Sequence, residues 1–401
     1  MKYLLLLCTV GHLVWTKPNS ECSNPLVETI NSKNTTWKAG VNFPGETPAE
    51  FAKKRLGLLG NHQDPNFHPE KKVHPVGRKT VIPPSFDARD QWLECRDVID
   101  NIRDQGNCVS CWAFAAAEVM SDRLCILSKA ELKFEFSPQD LLSCCPHCGY
   151  GCGGGYAFAA WIYWQERGIV SGGDYNTNTG CKPYEGLAYL NNTTPTCKTY
   201  CTNTNYTIAY DNDRRIGASY FSMSENIQQI QYEIMTNGPI QASYKVYEDF
   251  TTYKEGVYQY TYGAELGGHA VKIIGWGSEN DVPYWLVANS WGSDWANLKG
   301  YFKIKRGSNE CGIEANVIGG IPLYDSDPTT DPVTDSPDGT GSAMKAMSSA
   351  LVLLLNGNKW GGKNWQRTTN PTGEMPLNMH GWPRDMEKEN ELPHAQTKSL
   401  V

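Results

Sequence analysis

Twelve of the 14 cysteines lie between Cys95 and Cys311, behind a start that reads as a secretory leader. That combination constrains the fold more than any other feature. Met1-Lys2-Tyr3 supplies the basic start and an apolar run follows to near Trp15, so residues 1–16 are expected to be a signal peptide, although no clean small-x-small cleavage site follows. A cysteine-dense chain entering an oxidising compartment is expected to hold a disulfide framework. Cys144-Cys145-Pro146-His147-Cys148 with Cys152 offers zinc donors, but the same compartment favours bridges, and no metal is expected. No apolar run reaches the roughly 18 residues of a membrane helix. The net charge of −7 gives no electrostatic footprint for nucleic acid.

Residues 17–81 read as a separate N-terminal region. It carries the sequon at Asn34, the segment Trp37-Lys38-Ala39-Gly40-Val41-Asn42-Phe43 and a helical candidate around Glu50–Leu56, and then proline and histidine crowd positions 62–84 as an extended linker. Ile82-Pro83-Pro84-Ser85-Phe86-Asp87 opens the compact part, expected to run to Tyr324. Within it, helical patterns start at Cys111, Pro138, Ala157 and Ser224. Strand-like runs follow at Ile240–Val246, Gly268–Trp276, Tyr284–Ala288 and Tyr301–Arg306. Helices first and strands afterwards predict an α+β fold of two unlike halves. Sequons at Asn191, Asn192 and Asn205 need an exposed surface. Beyond Tyr324 the composition shifts to Asp, Pro, Thr, Gly and Ser, so residues 325–401 are expected to be a disordered extension. Its apolar run Met347–Leu355 is too short to span a membrane and is not terminal, as a lipid-anchor signal requires.

Chemistry concentrates in Gln105-Gly106-Asn107-Cys108-Val109-Ser110-Cys111-Trp112-Ala113-Phe114. A glycine-containing loop feeds an alanine-rich helix with Cys111 at its start, where free N–H groups and the helix dipole favour a thiolate. Gln105 is placed to fold its amide back toward the same sulfur and stabilise an oxyanion. The plainer reading makes Cys111 a buried half-cystine. Of the eight histidines, only His269 lies outside the leader, the N-terminal region, the cysteine cluster and the tail. It opens a strand after Gly267-Gly268 and is the candidate general base, although a lone histidine is more often structural. Asn289 ends the apolar strand Pro283–Ala288 beside Trp291. A buried Asn there can orient the imidazole, with Trp291 covering the bond from water, or can simply cap a turn.

On these stretches the chain resembles the papain family of cysteine proteases, and within it the cathepsin B branch. The matching residues are Gln105-Gly106, Cys108, Ser110-Cys111-Trp112-Ala113-Phe114, Gly267-Gly268-His269-Ala270, Ala288-Asn289-Ser290-Trp291-Gly292 and the propeptide-like Trp37–Phe43, and the likeness runs from about residue 25 to 324. The resemblance implies a two-lobed fold, with Cys111 on a helical lobe, His269 and Asn289 on a β-barrel-like lobe, and the cleft between them. It implies the pairs Cys95–Cys125, Cys108–Cys152, Cys144–Cys197, Cys145–Cys148 and Cys181–Cys201, leaving Cys111 and Cys311 unpaired. Gly154 and Gly155 would bond the substrate backbone as an added strand, with Ala270, Trp291 and Asn316 also lining the site. Residues 17–81 would be an inhibitory propeptide, and the thiol pKa would fall well below its free value of about 8.5 in a thiolate–imidazolium pair. No cofactor is implied. The expected partners are protein or peptide substrates, the chain's own propeptide and cystatin-type inhibitors, for a monomer in the secretory pathway, lysosomal or extracellular.

Three departures from the family shape further expectations. Cys181–Cys197 corresponds to the loop that grips a substrate C-terminus with paired histidines, and here it contains no histidine. An endopeptidase with weak or absent dipeptidyl carboxypeptidase activity is expected. Asn316 stands where an acidic residue accepts Arg at P2, so apolar P2 residues are expected. Val109 replaces a glycine, and a β-branched residue dislikes positive φ and adds bulk near the S1 site, so lowered activity or a narrowed P1 choice is expected. Ala296-Asn297-Leu298-Lys299 also replaces a glycine-containing turn. The competing expectation is a papain-fold binding protein with weakened turnover.

Overall fold

The computed structural model describes residues 24–60, 69–77, 80–186 and 194–324. The helix Cys111–Leu127 is buried along nearly its whole length, as its run of alanines allows: small side chains let neighbouring elements close on every face. Around it pack Pro138–Cys144, capped by the Ser137 hydroxyl on the Asp140 N–H, and Ala157–Arg167, which ends at Gly168 with φ 75°. Trp112, Phe114, Trp161, Trp164 and Phe136 fill the core of this helical lobe.

The second lobe is built on strands. In chain order these are β1 (Trp37–Ala39), β2 (Lys71–Lys72), β3 (Phe86–Asp87), β4 (Gly217–Met223), β5 (Ile240–Tyr247), β6 (Tyr253–Tyr258), β7 (Glu265–Glu279), β8 (Val282–Ala288), β9 (Tyr301–Lys305) and β10 (Val317–Pro322). They form one sheet in the order β1-β6-β9-β8-β7-β5-β10-β4-β2, with β3 on β7. The path is open among the described residues, so the β-rich lobe is mixed sheet and helix rather than the barrel-like closure expected. Both outer strands, β1 and β2, come from the N-terminal region and cover the edges of the sheet. The core of this lobe is aromatic, with Phe250, Tyr253, Trp285, Trp295 and Phe302 buried together.

Five disulfides are present: Cys95–Cys125, Cys108–Cys152, Cys144–Cys197, Cys145–Cys148 and Cys181–Cys201. Four of them tie loops within the helical half, where long connections would otherwise cost conformational entropy. Cys111 and Cys311 are free. Where the lobes meet, Lys272 of β7 points at the central helix, 2.9 Å from Asp122 and 3.8 Å from Glu118. Among the described residues no helix is long and apolar enough to cross a membrane, and no cluster of metal-ligating side chains occurs.

The N-terminal region lies on this body as two short helices and the two edge strands. Pro25–Asn31 is capped by Asn24, and Pro48–Arg55 carries a full capping box between Thr47 and Glu50. Such devices matter for an eight-residue helix that is too short to hold itself.

Candidate active site

Cys111 is the first residue of the central helix and is fully buried. The N–H groups of Trp112 and Cys111 at the helix start, with those of Ala270 and Gly57, point to its sulfur and favour the thiolate. Burial outweighs them and pushes the thiol up to about 11. His269, on β7 of the other lobe, is equally buried, and burial pulls its imidazole down to about 4 against the opposing effect of Asn289. Both shifts favour neutral side chains. This differs from the ion pair expected from the sequence, and the cause is burial of both groups, beneath a cleft that residues 55–59 run through.

The imidazole is held on one side only. Its Nε2 lies 2.8 Å from Asn289 Oδ1, which also accepts the Ser290 N–H at 2.9 Å. Its Nδ1 is buried with no hydrogen-bond partner among the described residues. Trp291 lies over the ring at 4.7 Å between centroids, tilted by 30°. Strand β8 delivers Asn289 because Ala288 pairs with Lys272, three residues beyond His269 on β7.

Gln105 turns its side chain into the same space. Its Nε2 donates to the carbonyls of Cys108 at 2.9 Å and Arg55 at 3.0 Å, while its Oε1 accepts the Ser290 hydroxyl at 2.7 Å. The amide orientation is therefore fixed from the β-rich lobe. Ser290 sits inside the stretch that the sequence singled out but was given no role there, since a serine beside an asparagine carries no signal of its own. Tyr184 was likewise missed; its hydroxyl donates to the Gln105 carbonyl at 2.8 Å.

Residues 55–59 run through the cleft. The Gly155 N–H donates to the Gly57 carbonyl at 2.8 Å, the Leu59 N–H to the Gly155 carbonyl at 2.9 Å and the Leu58 N–H to the Gly268 carbonyl at 3.2 Å. Leu58 thus bridges both lobes as an added strand. Two glycines make this close approach possible. A Cβ at Gly155 would lie 2.5 Å from both the Cys148 carbonyl oxygen and the Trp112 ring, and a Cβ at Gly57 would lie 1.9 Å from the Val109 carbonyl oxygen. Beside this run, Phe51 packs edge-on against Trp291 at 4.8 Å and Arg55 lies over Phe43 at 4.0 Å. Glu46 ties that helix down through Lys54 and Arg55.

The remaining sequence candidates fall into place as follows. Gly154 turns at φ 109°, with the Gly57 carbonyl 3.0 Å from where its Cβ would be. Ala270 is buried beside Cys111, and Asn316 is half-buried, its carbonyl accepting the Ser243 N–H at 3.1 Å. Val109 does not have a positive φ; its N–H reaches the Cys152 carbonyl at 3.3 Å, and the strain expected for it is absent. Ala296 and Lys299, by contrast, do adopt left-handed backbone, at φ 57° and 56°. Asn34 and Asn205 are exposed, whereas Asn191 and Asn192 lie outside the described residues.

Comparison with known proteins agrees with this architecture. The papain family cysteine protease model matches residues 82–321, and the peptidase family C1 propeptide model matches residues 22–62. The chain is 45% identical over 343 residues to cathepsin B-like cysteine proteinase 4 of Caenorhabditis elegans, covering 80% of this chain and 99% of the relative. It is 43% identical over 320 residues to proteinase 6 of the same series and organism, covering 75% and 83%. Among solved structures it resembles proCathepsin B S9 from Trypanosoma congolense, with a TM-score of 0.67, 35% identity, and coverage of 75% of this chain and 99% of that one. Digestive procathepsin L2 proteinase from Tenebrio molitor larval midgut is similar at a TM-score of 0.57 and 28% identity, over 74% of this chain and 89% of that one. The chain belongs to the papain family of cysteine proteases, is cathepsin B-like within it, and carries the family's propeptide.

Proposed function

We propose that this cysteine peptidase is an endopeptidase made as a secreted zymogen, with Cys111 as nucleophile, His269 as general base and acid, Asn289 as the group that orients the imidazole, and Gln105 with the Cys111 N–H as oxyanion donors. The observation that carries this reading is the cleft itself. A peptide main chain lies bonded to Gly155 and Gly268, with one of its carbonyls on Gln105, beside a free cysteine at a helix start. Once the propeptide leaves, water returns, the desolvation that keeps both groups neutral is relieved, and the proton passes from Cys111 to His269. The thiolate attacks the scissile carbonyl and the oxyanion takes up the Gln105 amide. His269 protonates the departing amine, and water then hydrolyses the thioester.

Residues 1–16 act as signal, 17–81 as propeptide, 82–324 as catalytic domain and 325–401 as an extension. Gly154, Gly155, Ala270, Trp291 and Asn316 line the substrate site, with sugar on the sequons and a lysosomal or extracellular destination. Leu58 packs against the helical-lobe core from the cleft, which supports an apolar P2 residue, and Asn316 offers no carboxylate to Arg. The backbone at Val109 has no positive φ, which removes the strain argument for a binding protein without turnover, while the added bulk of its side chain stays. The test is a set of peptides given to the acid-activated protein. A Phe-Arg reporter should be cleaved faster than an Arg-Arg reporter, with little removal of C-terminal dipeptides from an N-blocked peptide; the reverse order, or rapid dipeptide release, contradicts the specificity.

A further inference from the structure

Besides β1 on β6, the N-terminal region touches the body of the protein at two places that share no contact residue. One is the cleft. The other is on the outer edge of the sheet, where β2 runs parallel to β4, pairing Lys71 with Ser222 and Lys72 with Met223. The Ser222 N–H donates to the Glu70 carbonyl at 3.0 Å. Gln229, on the helix Ile227–Asn237, clamps the main chain of His74 from both sides: its Oε1 accepts the His74 N–H at 2.6 Å, and its Nε2 donates to the His74 carbonyl at 3.0 Å. This is the pairing that a neighbouring strand would supply, made by one side chain.

Beneath the strap sits Glu233, whose side chain is fully buried. Arg123 of the central helix holds its Oε1 at 2.8 Å. Its Oε2 faces Lys72 at 2.9 Å, His74 Nε2 at 2.6 Å and the Asn237 amide at 3.1 Å. Lys72 also lies over the Phe221 ring at 4.2 Å, and His74 packs on Tyr232 at 4.9 Å. The Lys72 ammonium and the His74 imidazole of the strap thus meet one buried carboxylate, in a setting where taking away one partner of an ion pair is costly. Against its burial, Arg123, the hydrogen bond from His74 and the Lys72 charge hold the Glu233 carboxyl far below the usual carboxylate range.

We propose that the β4 edge with Gln229 and Glu233 is a second docking site, separate from the cleft and specific for an extended basic segment with the Lys-x-His pattern, and that its occupant Glu70–Val76 stays on the enzyme after the inhibitory segment upstream has been cut away. The first active species then carries the strap as an N-terminal extension, and trimming to near Ile82 is a later, slower step. This rests on the zymogen reading above.

The experiment has two arms. In the first, hydrogen exchange is measured on the full-length Cys111→Ala protein, which cannot process itself on that reading, with and without Lys72→Ala/His74→Ala, and on a Gln229→Ala version. The amide at position 74, compared with the intrinsic rate of the residue present, should exchange at least about tenfold faster in both altered proteins, while amides in Leu56–Leu59 stay unchanged. In the second, the protein is activated in acid and its N-termini are followed by mass as activity appears. Full activity should arrive with the strap still attached, and the Lys72→Ala/His74→Ala protein should lose the strap about tenfold sooner. Equal exchange at His74 in all proteins overturns the docking site whatever the catalytic result. Activity that appears only with an N-terminus near Ile82 overturns the retention. Protection at His74 in a chain that never gains activity leaves the docking site standing and counts against the protease mechanism alone.

Discussion

The side-chain amide of Gln105 donates at 3.0 Å to the carbonyl oxygen of Arg55, a residue of the propeptide. The group proposed to receive an oxyanion is thus occupied by the chain's own inhibitor, and its geometry is locked from behind by Ser290 at 2.7 Å. Replacing Gln105 by Ala removes a donor whose worth is realised in the transition state. In the activated enzyme kcat should fall by about 10²–10³ with KM little changed. Steady-state kinetics on one peptide ester and one amide substrate checks this.

At Gly57 the propeptide backbone comes close to the Val109 main chain. A methyl group there would lie 1.9 Å from the Val109 carbonyl oxygen, where only backbone movement can make room. Gly57→Ala should weaken the seal by about 1–3 kcal/mol, the usual penalty of overpacking. Unprocessed protein should then show about tenfold or more residual peptide cleavage, measured before activation in a form that cannot be cut within its N-terminal region.

Acid should loosen the propeptide partly through His269. In the sealed cleft burial takes its pKa down from 6.5 to about 4, so the covered state prefers the neutral ring. In Cys111→Ala protein, where the uncovered ring has no thiolate partner and returns to about 6.5, this lowered pKa contributes affinity that is fully present above pH about 6.5 and is lost as pH falls toward about 4. Glu46 adds to the effect: its carboxyl is held low by Lys54 and Arg55, so its grip also fails when pH drops below the ordinary carboxylate range. The dissociation rate of the propeptide after cleavage should rise across that window, and His269→Ala should flatten the upper part of the profile.

The contact between the lobes has the opposite pH sense. Burial raises Glu118 to about 7 and Asp122 to about 6, against the pull of Lys272 first and of Arg103 and Arg123 behind it. A folded state that binds protons more tightly than the unfolded chain loses stability as pH rises through that interval. Thermal unfolding of the activated enzyme should show Tm falling between pH 5 and 8, and Glu118→Gln should flatten that fall. Lys272→Met, which leaves two buried carboxylates unpaired, should cost about 3–5 kcal/mol at pH 8 and less at pH 5.

Much of this was legible in the chain because the signals are local. The alanine-rich run after Ser110 reads as a buried helix and is one through Leu127, and Gly168 stops Ala157–Arg167 where its positive φ requires. The strand from Ile240 was placed within a residue. What escaped depends on pairing across long separations. Strand β4 has mixed polarity and exists because β10 and β2 flank it, and the Pro- and His-rich linker hides β2 because two residues have no period. The same limit applies to the site. Gln105, Cys111, His269 and Asn289 stand in recognisable stretches, whereas Ser290, Tyr184 and the Gly57–Leu59 run act through partners up to 210 residues away. The neutral state of Cys111 and His269 could not be read at all, since it depends on what covers them.

The most direct measurement of the catalytic claim is labelling of the acid-activated protein by a thiol-directed peptidyl epoxide, read by mass spectrometry of the intact chain and its peptides. One adduct per molecule on Cys111, absent from the unprocessed protein and lost in His269→Ala, is the predicted result. Peptide cleavage that persists in Cys111→Ala, or labelling confined to Cys311, would contradict it.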